Sequence, residues 1–268
     1  MKFTFVNKDE EKSLSAVKLI KDKYLKEGHQ FVDKDPDVVF SIGGDGTFLR
    51  AVNTFYDCNP IFIGINKGNL GYLLEFSLED ILDKNFRIEN KEIQNIRLLE
   101  CELNSKTYYA LNEFRIESYA GTSIKFEVYF NNKLFESLRS DGVIVSSSIG
   151  STGISKSYGG TIIDPKTEVL QFLEKGPLHS KVYHSLCSPL ILNNETKIVF
   201  KNFNLDSFYL NYDYLSLFIT KIKSDIKISY SNKYIRMLRN SDDFIEKVKG
   251  SFVGWLFYQM IFLPIIGG

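Results

Sequence analysis

The apolar positions of this chain fall into two regimes. Up to about residue 95, short continuous apolar runs alternate with stretches in which apolar residues recur every three to four positions. Residues 2–6, 37–42 and 60–65 are runs of the first kind and predict strands. Residues 13–25 are of the second kind, with Leu14, Val17, Ile20 and Tyr24 on one predicted helical face. A second helix is predicted from Thr47, burying Phe48, Val52 and Phe55. Gly28 suits the C-cap of the first helix, and Pro36 closes the loop before the second strand. Strands apolar on both faces that alternate with helices predict a parallel sheet covered on two sides. In such a doubly wound α/β domain, ligands are expected beyond the carboxyl ends of the strands.

The pattern changes near Ile96. Residues 97–103, 107–111, 124–130, 133–138, 197–200, 207–210, 215–219 and 226–230 read as short strands, separated by turn residues such as Asn104-Ser105 and Asn131-Asn132. A brief helix is expected around 168–173, and residues 244–252 return to a helical pattern. The expected organisation is an α/β N-terminal domain with a parallel sheet over 1–95 and a β-rich domain over 96–238. A C-terminal segment, 239–268, is expected to pack its helix back on the N-terminal domain. Residues 252–266 are almost wholly apolar, but Pro264 interrupts them and they fall short of the roughly 20 residues that span a bilayer. Without a basic face they make a poor surface anchor, so burial in the fold or at a subunit contact is expected, with no membrane partner.

Composition narrows the classes. The 268 residues are 44% hydrophobic and carry 33 basic and 33 acidic side chains, a balance that gives no bulk attraction for nucleic acid. Three scattered cysteines, Cys58, Cys101 and Cys187, imply free thiols in a reducing compartment. His29, His179 and His184 form no zinc spacing with them, so no metal-ligating residues are assigned. Residues 1–6 read as a strand without a secretory apolar run, and a cytoplasmic location is expected.

The chemistry concentrates in a few stretches. The strand ending at Ile42 runs straight into Gly43-Gly44, with Asp45 beside a third glycine, Gly46, and Thr47 placed to cap the next helix. Glycines bring backbone N–H groups close to a ligand and a helix N-terminus favours anions, so this is a way to build a phosphate site with a carboxylate beside it. An ordinary strand–turn–helix junction would use the same residues. Residues 64–73 form a loop with three glycines. Asn112-Glu113 follows an apolar strand; side by side, an amide and a carboxylate can grip a cis-diol, or simply end a strand. Arg139 and Asp141 precede a further apolar strand, and residues 149–160 hold five hydroxyl side chains and four glycines. That run suits phosphates and ribose, or an ordinary Ser/Gly loop.

Residues 43–47, Gly-Gly-Asp-Gly-Thr, resemble the signature shared by NAD kinases, diacylglycerol and sphingosine kinases and, more distantly, phosphofructokinases. Residues 64–73 are similar to the second block of bacterial NAD kinases and lack the Gly-Asn-Asp element of the lipid kinases. Asn112-Glu113 matches the pair with which that family holds the adenine ribose, and 139–160 resembles its third block. Residues 188–192 and the Asp213-Tyr214 turn also fit. Four blocks in order identify the chain as a member of the NAD kinase family up to about Phe252. It departs from the family at Gly153-Ile154, where Ala-Tyr is usual, and at Asp164-Pro165, where His-Pro is usual.

The resemblance implies phosphoryl transfer from ATP, or polyphosphate, to the adenosine ribose 2′-hydroxyl of NAD. No G-x-x-x-x-G-K-[ST] loop is present, so Gly43, Gly44, Gly46 and Thr47 are expected to hold the donor phosphates with Mg²⁺. Asp45 becomes the catalytic base, Asn112 and Glu113 the ribose ligands, and Asp141 a ligand near the nicotinamide end. The remaining dinucleotide contacts are carried onto Tyr72, Arg139, Thr152, Gly153, Ile154, Ser155, Lys156, Ser157, Gly176 and Tyr214. A homodimer or homotetramer is implied, with a neighbouring subunit completing the site. A lipid kinase sharing the glycine turn and a non-catalytic dinucleotide sensor are the alternatives.

Overall fold

A computed structural model of the chain describes residues 1–66, 71–119, 121–181, 184–205, 207–240 and 244–253. Two compact units emerge. The first comprises residues 1–51, 57–94 and the chain from Arg236 onward; the second comprises 52–56 and 95–235.

The first unit opens with β1 (Lys2–Asn7), α1 (Glu11–Lys26), β2 (Gln30–Phe31), β3 (Val38–Gly43), α2 (Asp45–Phe55), β4 (Ile61–Asn66) and α3 (Leu78–Leu82). The strands lie in the order β2-β1-β3-β4, all parallel, with β3 and β4 in register from Val38↔Ile61 to Gly43↔Asn66. Phe3, Phe40, Ile42, Ile63 and Ile65 are fully buried beneath α1, which contributes Ile20. Each such side chain stabilises the fold by about 1.5–3 kcal/mol relative to exposure.

The buried stripe of α1 runs through Ser13, Ala16, Ile20 and Tyr24, whereas Leu14, expected on that face, is 51% exposed. Leu14 sits about 100° round the helix from Ser13, outside a stripe set by the other four. Gly28 (φ +83°) follows the C-cap residue Glu27 and donates to the Leu25 carbonyl at 3.1 Å. At the glycine turn α2 starts at Asp45, two residues before the expected cap. The Gly44 carbonyl accepts from the Thr47 and Phe48 amides at 2.8 and 3.2 Å, so the helix is entered from Gly44 and Thr47 lies inside its first turn.

The second unit is almost wholly β. It comprises β5 (Glu92–Leu103), β6 (Lys106–Ala110), β7 (Glu113–Ser118), β8 (Ile124–Phe130), β9 (Lys133–Ser140) and β10 (Gly142–Ser147). A 3₁₀ turn (Ile149–Thr152) and the short α4 (Ile154–Ser157) follow. After these come β11 (Val169–Lys175), β12 (Leu190–Asn193), β13 (Ile198–Lys201), β14 (Phe208–Tyr212), β15 (Leu215–Ile219) and β16 (Ile226–Arg239). One antiparallel sheet runs β12-β11-β10-β7-β14-β15; β16-β13-β8-β9 form the other, with β5 on β16 and β6 on β5. Phe114, Ile116, Val145 and Phe172 of the first sheet share one core with Phe126, Phe200 and Ile228 of the second. Asn104, Ser105, Asn131 and Asn132, expected as turn residues, all have φ between 49° and 65°. Short polar side chains tolerate this left-handed conformation best.

The helix expected around 168–173 is instead β11, hydrogen-bonded to β10 on one side and β12 on the other and buried from Leu170 to Glu174. A short apolar run has no periodicity of its own, and two neighbouring strands decide its state. The chain then returns to the first unit, where Arg236 and Met237 of β16 pair in parallel with Ile61 and Phe62 of β4. It continues into α5 (Phe244–Val248), prolonged by a π-helical turn (Lys249–Val253). Residues 67–70 of the glycine-rich loop, and the apolar stretch from 254 on, lie outside the described residues.

Candidate active site

In the first unit the buried strand β3 delivers the glycine turn, and α2 presents Asp45 as its first residue. Gly43 has no room for a side chain: a Cβ there would stand 2.4 Å from Thr47 Oγ1. Gly44 and Gly46 are exposed, which leaves the backbone at the start of α2 open to a ligand. Asp45 is less bare than its place in the sequence suggests. It is half-buried, and its two carboxylate oxygens accept from the Leu73 amide at 3.0 Å and the Tyr72 amide at 3.1 Å. Burial raises its pKa above the ordinary carboxylate range; the two amides and the charge of Lys247 oppose that rise.

In the second unit Asn112 and Glu113 stand at the entrance to β7. Glu113 is 3% exposed. Among the described residues, the buried Asn112 Oδ1 and Glu113 Oε2 have no hydrogen-bond partner. Buried polar atoms are nearly always paired, so two orphans side by side call for a ligand. The backbone beneath them is braced from both sides. Asp213, in the β14–β15 turn, accepts from the Leu111 amide at 2.9 Å and the Asn112 amide at 2.8 Å. Ser147 donates its hydroxyl to the Leu111 carbonyl at 2.7 Å, and its amide donates to the Asn112 carbonyl at 2.8 Å. Gly150 packs so tightly on this corner that a Cβ would stand 2.1 Å from the Asn112 carbonyl oxygen. Burial, then the nearby Asp213, pushes the Glu113 carboxyl up to about 8 against the pull of Arg115; burial lifts Asp213 itself to about 6.

Residues 2–93 match the family described as ATP-NAD kinase N-terminal domain, and 111–238 its C-terminal domain. An NAD kinase 1 of Oceanobacillus iheyensis is 31% identical over 265 residues, 94% of this chain and 98% of that one. The chain belongs to the NAD kinase family. An NAD kinase of Limosilactobacillus reuteri is 29% identical, covering 95% of this chain and 99% of the relative. Two solved structures share the fold. An NAD kinase from Archaeoglobus fulgidus in complex with ATP aligns with a TM-score of 0.77 at 23% identity, over 93% of this chain and 99% of the other. Yeast NADH kinase complexed with NADH aligns at 0.79 and 18% identity, over 95% and 88%. Like its family, the chain is an enzyme, a phosphotransferase.

The other residues that the NAD kinase resemblance singled out fall into smaller groups. Gly153 (φ −85°) faces the orphaned pair: a Cβ there would lie 3.5 Å from Asn112 Nδ2 and 3.6 Å from Glu113 Oε2. Thr152 and Ile154 flank it, both half-buried. Ser155 is fully buried and its hydroxyl accepts from Gln171 Nε2 at 2.9 Å, so it anchors α4 in the core. Lys156 is half-buried and Ser157 exposed. Asp141 lies against Gly176 (φ +54°), where a Cβ would meet its carboxylate at 2.7 Å. Arg139 donates to Ser123 Oγ at 2.8 Å. Tyr214, beside Asp213, is 44% exposed, and the ring of Tyr72 stacks on Phe252 at 5.7 Å.

Sequence reasoning passed over the supports of the site. In the sequence Asp213 stands out only as part of a turn, yet with Ser147 it braces Asn112; the local signal is an aspartate at a hairpin tip, at φ +48°. A polar cleft of about 550 Å³ has no signature in the sequence. It joins Asp141 to Arg115, Glu117, Lys175 and Asn211, with Lys175 Nζ 2.7 Å from Glu117 Oε1.

Proposed function

We propose that this chain transfers the terminal phosphoryl group of ATP to the 2′-hydroxyl of the adenosine ribose of NAD, with polyphosphate as the alternative donor. The corner at Asn112 and Glu113 carries the reading: two buried, unpaired acceptor atoms on a braced backbone suit the two hydroxyls of a ribose diol. Asp45 supplies the base. Its carboxylate takes the proton of O2′ as the O2′–phosphorus bond forms and the bond from the γ-phosphorus to its bridging oxygen breaks, releasing ADP. A base needs appetite for a proton and must still be ionised to accept one. Burial gives Asp45 the first, and the Tyr72 and Leu73 amides with Lys247 favour the second.

Gly43 and Gly44 of the turn, with Gly46 and Thr47 in the first turn of α2, take the donor phosphates, which the exposed backbone at Gly44 and Gly46 lets approach. Among the described residues, no three His, Cys, Asp or Glu side chains are placed to hold a metal. In this reading Mg²⁺ arrives with the donor, held by its phosphates and by water. Once bound, the ion neutralises phosphate charge. In this reading Thr152, Gly153, Ile154, Lys156 and Ser157 line the dinucleotide beside Asn112, and Ser155 holds them in place through Gln171. Asp141, with Gly176 and Arg139, takes the nicotinamide end, and Tyr72 and Tyr214 offer rings.

Two further features belong to the same reading. A homodimer or homotetramer is supported by the exposed rings of Tyr119 and Phe218, which cluster with half-buried Tyr209 at 4.9–6.0 Å beside the edge strand β15. A cytoplasmic location is supported by Cys58, Cys101 and Cys187 all being free; among the described residues no helix is long and apolar enough to cross a membrane. The test is direct: incubate the pure protein with Mg²⁺, NAD and either ATP or polyphosphate, and assay NADP. NADP from ATP supports the proposal; no NADP from either donor, with NAD still bound, overturns it.

A further inference from the structure

The segment that holds Asp45 is itself held by the C-terminal helix. Two residues past the Tyr72 and Leu73 amides, the Glu75 side chain is only 1% exposed. Its Oε1 accepts from Lys247 Nζ of α5 at 2.5 Å and pairs with Arg239 at 2.8 Å, and its Oε2 accepts from the Asn240 amide at 2.7 Å. The Tyr72 hydroxyl donates to the Lys247 carbonyl at 3.4 Å while its ring lies nearly parallel to Phe252, at 21°. On the opposite side, the Glu75 and Phe76 amides both donate to the Gly64 carbonyl at 3.1 Å. Residues 72–76 are therefore clamped between β4 and α5.

We propose that Lys247 is a positioning residue for the reaction, fixing through Glu75 and Tyr72 the two backbone amides that aim the Asp45 carboxylate. The inference rests on the reading of Asp45 as the base. Lys247 acts on Asp45 in a second way, because its ammonium favours the ionised carboxylate. Among the described residues, the charged groups around this clamp include Lys247 from α5, Arg239 from the end of β16, Glu75 between them, and Lys91, whose ammonium donates to Asn240 Oδ1 at 2.8 Å and lies 5.9 Å from the centre of the Phe76 ring. Tyr72 is the titratable neighbour on the segment itself, and Glu246 pairs with Lys249 at 3.4 Å. Losing Lys247 leaves Glu75 paired with Arg239, so the fold survives while the aim of Asp45 loosens.

The test compares kcat and both KM values of K247M, K247R and F252L with the wild type across pH. K247M is expected to lose between roughly ten- and a hundredfold in kcat, the range for small misplacements set up away from the chemistry, with both KM values little changed. Its acid limb should move to higher pH, because without the ammonium Asp45 holds its proton more tightly. K247R should recover both effects. F252L, which removes the ring beneath Tyr72 and leaves every charge in place, should lower kcat with the acid limb unmoved. Wild-type kcat and acid limb in K247M, whatever its melting temperature, overturn the inference, as does wild-type kcat in F252L should K247M not fold. A fully active D45N would overturn the reading of Asp45 and this inference with it. An inactive D45N beside a normal K247M overturns the inference alone.

Discussion

Replacing Glu113 by glutamine should separate what the residue costs the fold from what it contributes to the substrate. Burial and Asp213 raise its folded pKa from an ordinary 4.5 to about 8. Below pH 4.5 the folded and unfolded chains both hold the proton, and Glu113 makes no difference to stability. As the pH climbs past that value the unfolded chain releases the proton and the folded chain keeps it, so stability falls until the folded pKa is passed. At about 1.4 kcal/mol per pKa unit, the loss between roughly pH 5 and pH 8 is on the order of 3 kcal/mol. E113Q cannot titrate. Its stability relative to wild type should therefore improve by about that amount between the same two conditions, even if the amide NH₂ finds no acceptor and costs about 1–3 kcal/mol at both. Urea unfolding of both proteins near each pH reads the difference directly. Above pH 8, where the wild-type carboxyl is ionised, E113Q should bind NAD more weakly by about 1.5–3 kcal/mol for the lost charge-assisted hydrogen bond, with ATP affinity unchanged. Parallel stability curves would refute the burial argument. Equal losses for NAD and ATP would refute the ribose assignment.

Three other perturbations probe the proposed reaction. D45N should keep the fold and most NAD affinity while losing roughly 10²–10⁴-fold in turnover, as expected for a general base, and steady-state kinetics with calorimetric NAD titration checks both. G150A drives a methyl group to 2.1 Å from the Asn112 carbonyl oxygen, so the corner must shift; a stability loss of about 1–3 kcal/mol in chemical denaturation and a raised KM for NAD are expected. The pair G153A and I154Y restores the family's usual residues. At Gly153 φ is −85° and the nearest atom to an added Cβ is the Gly150 carbonyl oxygen at 3.2 Å, so a few tenths of an ångström of give are enough. The new ring should tighten NAD by about 1–3 kcal/mol in a calorimetric titration, the usual worth of a stacked base, and unchanged affinity would show the pocket to be filled another way.

Much of this protein is written locally. The strand–glycine–helix unit at residues 38–55 is legible because β3 is continuously apolar and α2 repeats every three to four residues, patterns a chain displays before it folds. The left-handed turns at Asn104 and Asn131, and the change from α/β to β-rich near Ile96, are equally local. The residue types of the site could be read as well, because Gly43–Asp45 and Asn112–Glu113 are contiguous.

Their state could not, because it depends on groups far along the chain. Asp45 reads as a bare carboxylate until the Tyr72 and Leu73 amides, 27 and 28 residues on, close over it. Asn112 is held by Asp213 from 101 residues away, and burial, then the charge of that same Asp213, raises Glu113. The hydroxyl of Ser155 reads as a ligand contact, but it is fully buried in the core and accepts from Gln171 there. β11 reads as a helix until β10 and β12 flank it, and Leu14 reads as core until the sheet chooses the stripe beside it. Backbone preference acts between near neighbours in the chain. Desolvation, pairing and pKa act between neighbours in space, and only the packing of the two cores decides who those are.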